Sequence, residues 1–477
     1  MKSFNLIVII ALISAFTISL ASAQQYQPTW DSLDARPMPE WFNQAKFGIF
    51  IHWGAYSVPA WRPLSSKLYA SYAEWYYAKV YEDHEFGGHE FHIKNYGPDF
   101  EYRQFAPMFK AELFDPDQWA DLFSRAGAKY VVLTSKHHDG FCLWPSASPY
   151  KQDYNSVAVG PKRDLVGDLT TAVRKRGLKM GLYYSLIEWE SSPTARTETG
   201  YYINQKLVDK YQIPRDDYVD KHVLPQLKEL VTNYQPALIF SDAGEWDESE
   251  EYWKTKEFLA WLYNHAPNKD EVVVNDRFAK GMPGKHGDYY SSEYADTDAV
   301  GVEHPWEESR GVGGSYGFNR AENIDDYSTS AELIHELIDI ASRGGNLLLN
   351  VGPTADGRIP VIMQQRLIDI GAWLKVNGDA IYGSHAWRTN PNPKSENTYF
   401  TAKNPDLYLI TTQWPTQNFV IAGLKKSPNS SATMLGLDKP LNVNSAANYL
   451  IITPPTISPD QLPCQHAYTI KITNVLN

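Results

Sequence analysis

The chain of 477 residues holds 56 aspartates and glutamates against 44 lysines and arginines, which gives a formal net charge of −12 at pH 7. Such an acidic chain is not expected to bind nucleic acid or an anionic membrane surface, because both repel negative charge. With only Cys142 and Cys464 present, a disulfide framework is excluded, and a well-packed core must stabilise the fold. A single long-range bridge between the two remains open.

Residues 1–23 predict a secretory signal peptide. Lys2 precedes a mainly apolar run at residues 6–16, and Ala21-Ser22-Ala23 offers a cleavage site of small residues. The run is shorter than the roughly 20 residues that a membrane span needs, and no later segment approaches that length. We therefore expect a mature chain that begins near Gln24 and is secreted to a periplasmic, extracellular or lysosomal space.

Short apolar runs alternate with amphipathic helices between residues 47 and 383. The runs are continuous, which is typical of parallel strands covered on both faces. They occupy residues 47–54, 128–141, 177–185, 237–242, 272–277 and 346–353, with a weaker seventh candidate at residues 287–294. Asp115 and Pro116 predict the start of one helix, and Thr329 with Glu332 predicts a capping box at another. The alternation predicts a parallel α/β architecture.

Polar side chains follow nearly every predicted strand at its carboxyl end. They are His52, His137, His138, Tyr183, Asp242, Arg277 and Glu293. An open nucleotide-binding sheet would need a glycine-rich turn after its first strand, and the only candidate, residues 311–317, follows no predicted strand. Polar side chains at the carboxyl ends of strands all around the sheet are typical of a (β/α)8 barrel. We therefore predict an α/β fold with a (β/α)8-like catalytic barrel over residues 24–387.

The sequence changes character after residue 387. Residues 388–397 form a linker rich in proline and asparagine, and short alternating runs separated by turn residues follow it. This pattern predicts a C-terminal antiparallel β-sandwich over residues 388–477. The tail carries no cluster of acidic residues or histidines, so we expect the chemistry to lie in the barrel.

Asp242 stands at the end of the apolar run Ala237-Leu238-Ile239-Phe240, where a carboxylate buried without a partner would be costly. Glycoside hydrolysis uses two carboxylates that flank the scissile bond, about 5 Å apart in enzymes that retain configuration. A short aspartate mounted on a strand suits the nucleophile of such a pair. Position alone leaves open an N-cap or a salt-bridge partner for the next segment.

Nine segments carry further information, in chain order. They are KFGIFIHWGAYSVPAW, YAEWY, TSKHHDGFCLW, GLYYS, LIFSDAGEWD, VVNDR, SSEY, PWEESRGVGGSYGFNR and GGNLLLNVGPTADGRIP. Together they resemble the motifs of the family 29 α-L-fucosidases over residues 27–387, and the tail is similar as well. The HWG, KHHDGF and NLLLNVGP blocks are specific in combination. The resemblance implies hydrolysis of terminal α-L-fucosyl residues of glycans, without a cofactor.

The resemblance also implies a retaining mechanism with two catalytic carboxylates. Asp242 matches the family's nucleophile, although Ala243 follows it where some relatives have glycine, which leaves the role of the next loop open. Glu293 in SSEY matches one pattern for the acid/base, and Glu307 in PWEE matches another. We favour Glu293 because it directly follows a predicted strand and can be held rigidly, whereas Glu307 is expected on a longer loop.

The resemblance further indicates which residues contact the sugar. The hydroxyl-binding positions are His52, Glu74, Trp75, His137, His138, Tyr183 and Arg277, and Tyr316 is expected in an aromatic wall beside the methyl group. For Trp75 and Tyr316 the alternative is ordinary core packing. Two adjacent histidines also suggest a metal, but neighbouring strand residues point to opposite faces, so we do not expect His137 and His138 to share an ion.

Two other functions remain open. One is a barrel glycosidase acting on a related sugar such as galactose, which would need room for a hydroxyl where fucose has its methyl group. The other is a non-catalytic sugar-binding protein on the same scaffold. The presence of both Asp242 and a second candidate acid argues against it, and an assay with an aryl α-L-fucoside distinguishes all three.

Overall fold

The computed structural model describes residues 25–67, 69–81, 88–193, 210–294, 303–392, 395 and 397–476. The predicted signal peptide, residues 1–23, lies outside these ranges. In the part of the chain that the structure describes, no helix has the length and apolar character of a membrane span. Cys142 and Cys464 are both free thiols, so no bridge joins them.

Eight strands form one sheet in which every hydrogen-bonded pair of neighbours is parallel. They are β1 (Phe47–Ile51), β2 (Tyr130–Lys136), β3 (Lys179–Ser185), β4 (Leu238–Asp242), β5 (Val273–Val274), β6 (Tyr290–Glu293), β7 (Trp306–Gly311) and β8 (Asn346–Val351). Their spatial order is β5-β4-β3-β2-β1-β8-β7-β6, with β1 paired to both β2 and β8. This is the circular order of a barrel whose ladder is interrupted between β5 and β6.

The gap between β5 and β6 is bridged by the residues that precede β6. The backbone N–H groups of Asp288 and Tyr289 donate to the carbonyl of Val274 at 3.0 and 3.3 Å. The Asp288 carboxylate accepts from the Val274 N–H at 2.9 Å and pairs with Arg36 at 3.0 Å, both side chains being buried. Side-chain and backbone bonds thus replace a regular ladder at this position.

Helices cover the outside of the sheet. The longer ones are Pro116–Arg125, Leu165–Lys175, Leu224–Tyr234, Thr255–His265, Ser330–Ser342 and Val361–Asn377, and shorter ones lie at Trp30–Leu33, Glu40–Ala45, Gly88–Tyr96, Arg215–Asp217 and Glu250–Trp253. The two predicted helix starts are confirmed. Asp115 accepts from the Gln118 N–H at 3.1 Å, and Thr329 exchanges capping-box bonds with Glu332. The strand β8 and the first four strands are almost entirely buried, as their apolar runs predict.

Strand β7 is absent from the sequence prediction, and the expectation that Glu307 lies on a loop is wrong. Its residues are mostly polar, yet they are buried, and their side chains contact polar partners. The Tyr130 hydroxyl donates to Glu307 Oε2 at 2.5 Å on the inner face, and Arg310 Nε lies 2.6 Å from Glu308 Oε1. Because the buried contacts are polar, the strand lacks the apolar run by which its neighbours are recognised.

The C-terminal residues form two antiparallel sheets, as expected. One contains β9 (His385–Ala386), β10 (Thr398–Lys403), β11 (Asp406–Thr411), β13 (Ser431–Met434) and β16 (Tyr468–Thr473). The other contains β12 (Phe419–Ala422), β14 (Asn442–Ala446) and β15 (Tyr449–Thr453). Leu409 and Ile470 from the larger sheet pack with Ile421 and Ile452 from the smaller one in a core of their own.

Candidate active site

A cavity of about 530 Å³ opens at the carboxyl ends of the parallel strands. Asp242 and Glu293 are the last residues of β4 and β6, and both line it. All eight predicted sugar-binding residues line the same cavity, namely His52, Glu74, Trp75, His137, His138, Tyr183, Arg277 and Tyr316. The fold therefore brings the ten residues predicted for the site, which come from distant parts of the chain, into one cavity.

Two side chains donate hydrogen bonds to the carboxylate of Asp242. The Tyr183 hydroxyl donates to Oδ2 at 2.6 Å, and Arg277 Nη1 donates to Oδ1 at 3.3 Å. His138 Nε2 lies 3.6 Å from Oδ2. Burial alone would raise the pKa of Asp242, but His138, the Arg277 guanidinium and the Tyr183 hydroxyl outweigh it, so the pKa lies below the usual 3.8. Asp242 is therefore ionised at neutral pH.

Glu293 lies on the other side of the same guanidinium group. Its Oε2 is 3.6 Å from Arg277 Nη1, and its Oε1 accepts a hydrogen bond from the Tyr72 hydroxyl at 2.9 Å. Burial, opposed by Arg277 and reinforced by Asp242, raises the pKa of Glu293 above its usual 4.5. The environments of Asp242 and Glu293 thus move the pKa values of these two carboxylates in opposite directions.

The two adjacent histidines both face the cavity, and the expectation from strand alternation is wrong. Strand β2 ends at Lys136, and its register shifts between Thr134 and Lys136, so alternation does not extend to the pair. The ring centroids of His137 and His138 lie 4.2 Å apart. Among the residues with described positions, no group of three or more His, Cys, Asp or Glu side chains is arranged to hold a metal ion.

Burial lowers the pKa of His52 and of His138 to about 4, so both rings are neutral at pH 7. His52 Nδ1 donates to Asn350 Oδ1 at 2.7 Å. The Ser185 hydroxyl donates to a backbone carbonyl and accepts from His138 Nδ1 at 2.6 Å. The neutral His52 ring therefore holds its proton on Nδ1 and leaves Nε2 as an acceptor.

Glu74 lies on a short 3-10 turn, Ala73–Trp75, after β1. Its Oε2 accepts from the Gly317 N–H at 2.7 Å and from the Ser315 hydroxyl at 3.3 Å. Within the described residues, Oε1 of Glu74 and Nδ1 of His137 are buried without a hydrogen-bond partner. Buried polar atoms normally have partners, so these two are available to a bound polar ligand.

The cavity also contains residues that the sequence analysis missed. Tyr72 contacts Glu293, Trp246 lies with its ring centroid 5.2 Å from that of His138, and Phe240 lines the cavity. Tyr72 is two residues before Glu74, and Trp246 is four residues after Asp242. In the sequence, the only indication that Tyr72 and Trp246 belong to the cavity is that they lie close to residues predicted for the site.

Glu307 does not line the cavity. It is paired in register with Asn346, the first residue of β8, and its carboxylate contacts Tyr130, the first residue of β2. It therefore lies at the amino-terminal end of the sheet, below the cavity. Burial raises the pKa of Glu307 to about 8.

A parallel sheet with two carboxylates at its carboxyl rim is the framework of a glycoside hydrolase, and comparisons with known proteins identify which kind. The family model described as alpha-L-fucosidase matches residues 13–379, and the model of the alpha-L-fucosidase C-terminal domain matches residues 392–473. Tissue alpha-L-fucosidase of Bos taurus is 42% identical over 462 residues, covering 94% of this chain and 92% of the relative. The enzyme of Homo sapiens is 40% identical over 455 residues, covering 95% and 92%.

Solved structures agree with these matches. The crystal structure of Thermotoga maritima alpha-fucosidase in complex with fucose has a TM-score of 0.78 and 38% identity, covering 94% of this chain and 100% of the other. The same enzyme in complex with a mechanism-based inhibitor has a TM-score of 0.79. The chain belongs to the alpha-L-fucosidase family and is a glycoside hydrolase with fucosidase activity. A non-catalytic sugar-binding protein is thereby set aside.

Proposed function

We propose that the protein is a retaining exo-α-L-fucosidase that removes terminal α-L-fucosyl residues from glycans in two displacement steps. Asp242 is the nucleophile, and Glu293 is the acid/base. The observation that carries the proposal is that a single nitrogen, Nη1 of Arg277, lies 3.3 Å from Asp242 Oδ1 and 3.6 Å from Glu293 Oε2. The two carboxylates therefore share one small volume at the rim of the cavity.

In the first step, Asp242 attacks the anomeric carbon while Glu293 transfers its proton to the glycosidic oxygen. The glycan leaves as an alcohol, and an ester joins the sugar to Asp242. In the second step, Glu293 removes a proton from water, the water oxygen attacks the anomeric carbon, and the ester bond breaks. Two inversions give net retention. An ionised Asp242 and a Glu293 of raised pKa suit these roles, because one group must be an anion while the other holds a proton.

The spacing also supports retention. Because both carboxylates contact one nitrogen, their oxygens can be no farther apart than the sum of those two distances. Retaining enzymes hold the pair about 5 Å apart, and inverting enzymes hold it about 6.5 to 9.5 Å apart to admit a water molecule, so this bound excludes all but the lower end of the inverting range. Glu307, below the cavity, has no access to the same bond, which favours Glu293 as the acid/base.

The lining of the cavity fits a fucosyl residue. His52, His137 and Glu74 offer buried polar atoms for hydroxyl groups, and Trp75, Phe240 and Tyr316 offer aromatic surface for the methyl face. The substrate is a fucosylated glycan, and no cofactor takes part in either step.

We also propose that the chain is secreted after cleavage behind Ala23. The backbone N–H of Tyr26 donates to Asn264 Oδ1, and Asn264 Nδ2 donates to the Tyr26 carbonyl, both at 2.8 Å. A chain that starts at Gln24 keeps these contacts. Amino-terminal sequencing of the exported protein tests the site.

The stereochemistry of the first product tests the mechanism. We expect proton NMR of an early reaction mixture to show α-L-fucose before mutarotation produces the β anomer. Initial appearance of β-L-fucose would exclude a two-step mechanism and its covalent intermediate.

A further inference from the structure

Two tyrosines from the segment after β1 contact Glu293. The Tyr72 hydroxyl donates to Glu293 Oε1 at 2.9 Å, and the Tyr69 hydroxyl donates to the Glu293 backbone carbonyl at 3.0 Å. Of these two tyrosines, only Tyr72 donates to the side-chain carboxylate of Glu293. Its side chain is 4% exposed, so the contact is shielded from solvent.

Tyr72 is itself fixed by the residues around it. The Trp75 N–H donates to the Tyr72 carbonyl at 3.2 Å, and the next residue, Ala73, donates from its N–H to the Ser315 hydroxyl at 2.9 Å. The ring centroid of Tyr72 lies 5.2 Å from that of Tyr316. The hydroxyl of Tyr72 is therefore held at a defined position relative to Glu293.

We propose that Tyr72 is a positioning residue for the acid/base, because its hydroxyl keeps Glu293 Oε1 as an acceptor and so directs the catalytic proton to Oε2. A protonated carboxyl group carries one O–H, and an oxygen that accepts from a tyrosine is the poorer place for it. Oε2 is the oxygen nearer to Arg277 Nη1, which also contacts Asp242. The proton is thereby held on the oxygen that lies 3.6 Å from Arg277 Nη1, beyond hydrogen-bond distance. This inference rests on the proposed role of Glu293.

The same turn connects the acid/base to sugar recognition. Glu74 and Trp75 lie two and three residues after Tyr72 and line the cavity, and the Glu74 carboxylate accepts a hydrogen bond from the Gly317 N–H. A sugar that contacts Glu74 and Trp75 therefore rests on the segment that orients Glu293. Besides Tyr72, the ionisable groups around Glu293 are Arg277, Asp242, Glu74, Tyr69, Tyr294 and Tyr316.

The variant Tyr72→Phe tests the inference, because it removes the hydroxyl and keeps the packed ring. Values of kcat/KM report the first step, in which the leaving group needs a proton. For a fucosylated oligosaccharide we expect a loss of roughly tenfold, since one hydrogen bond to a charged group is removed. A nitrophenyl fucoside, whose leaving group departs without that proton, is spared. We expect the alkaline limb of kcat/KM to move up by about one pH unit, because a donor that stabilises the Glu293 anion is lost.

Tyr69→Phe is the matched control, since it removes a hydroxyl that contacts only the backbone of Glu293. We expect it to leave the alkaline limb in place. Equal losses on both substrates with an unmoved limb in Tyr72→Phe, or the same shift in Tyr69→Phe, overturn the inference. Azide rescue of Glu293→Ala distinguishes a failure of the proposed role of Glu293 from a failure of the inference about Tyr72 alone. Without rescue, the role of Glu293 fails and the inference fails with it, whereas rescue with an unmoved limb in Tyr72→Phe refutes the inference alone.

Discussion

The hydroxyl of Tyr183 donates a hydrogen bond to Oδ2 of Asp242 at 2.6 Å. Tyr183 is the fifth residue of β3, and its backbone pairs with Phe240 on β4, so both side chains are mounted on adjacent strands. This contact occupies one carboxylate oxygen and fixes the direction of the other. A residue expected to bind a sugar hydroxyl therefore also orients the proposed nucleophile.

The variant Asp242→Asn is expected to lose activity by at least about a thousandfold, because an amide cannot form the glycosyl ester. The swap is isosteric and should leave the thermal unfolding temperature nearly unchanged. Tyr183→Phe is the graded control, with a loss of roughly ten- to a hundredfold for one charge-assisted hydrogen bond. Substantial turnover by a folded Asp242→Asn variant would show that the nucleophile lies elsewhere.

Chemical rescue distinguishes Glu293 from Glu307. Glu293→Ala should hydrolyse natural glycans very slowly, accumulate the glycosyl-enzyme from activated substrates, and regain turnover with azide, giving α-fucosyl azide. Glu307→Gln keeps the shape of a side chain that contacts Tyr130 below the cavity, so it should retain nearly full activity. Rescue of a Glu307→Ala variant by azide, with none for Glu293→Ala, would reverse the assignment.

The pH dependence of kcat/KM should respond to Arg277 in a defined direction. In the proposed mechanism the acidic limb belongs to Asp242, which must be ionised, and the alkaline limb belongs to Glu293, which must be protonated. The Arg277 cation lowers the pKa of both groups. Arg277→Met should therefore move both limbs to higher pH, besides raising KM. Limbs that stay in place would show that these carboxylates do not control the profile.

Chelation tests the expectation that no metal takes part. Because His137 and His138 are assigned to sugar hydroxyls, EDTA should change neither the rate nor the unfolding temperature. The matched experiment adds zinc or calcium to the chelated protein. A loss of activity that either ion restores would contradict the assignment of the two histidines.

Much of the sheet could be predicted because its strands are buried by apolar side chains. Ile49, Val132 and Leu348 belong to uninterrupted apolar runs, whose position marks a strand covered on both faces. Glu307 and Glu308 belong to a strand that is buried just as deeply, but their carboxylates accept hydrogen bonds from Tyr130 on β2 and Ser292 on β6. A local pattern contains no information about such distant partners, so β7 resembled a loop.

The candidate site could be predicted to the extent that its residues resemble known motifs. Which oxygen of Glu293 is held, and by which hydroxyl, depends on a contact between residues 221 positions apart. The orientation of His137 and His138 depends on where β2 ends, and a strand boundary that is off by one residue reverses the conclusion. Both are properties of the folded chain rather than of a sequence window.

The buried ionisable groups around the sheet make the free energy of unfolding depend on pH. Glu74 and Glu307, with pKa values of about 8, retain protons that the unfolded chain gives up above about pH 4.5, so their contribution to stability is lost as the pH rises toward 8. His52 and His138 have pKa values of about 4, so they stay neutral where the same residues in the unfolded chain bind protons, below about pH 6.5. The contribution of these two histidines to stability is therefore lost as the pH falls toward 4. The opposing trends predict that the chain resists urea best in mildly acidic solution, near pH 6, and releases protons when it unfolds at pH 7.5.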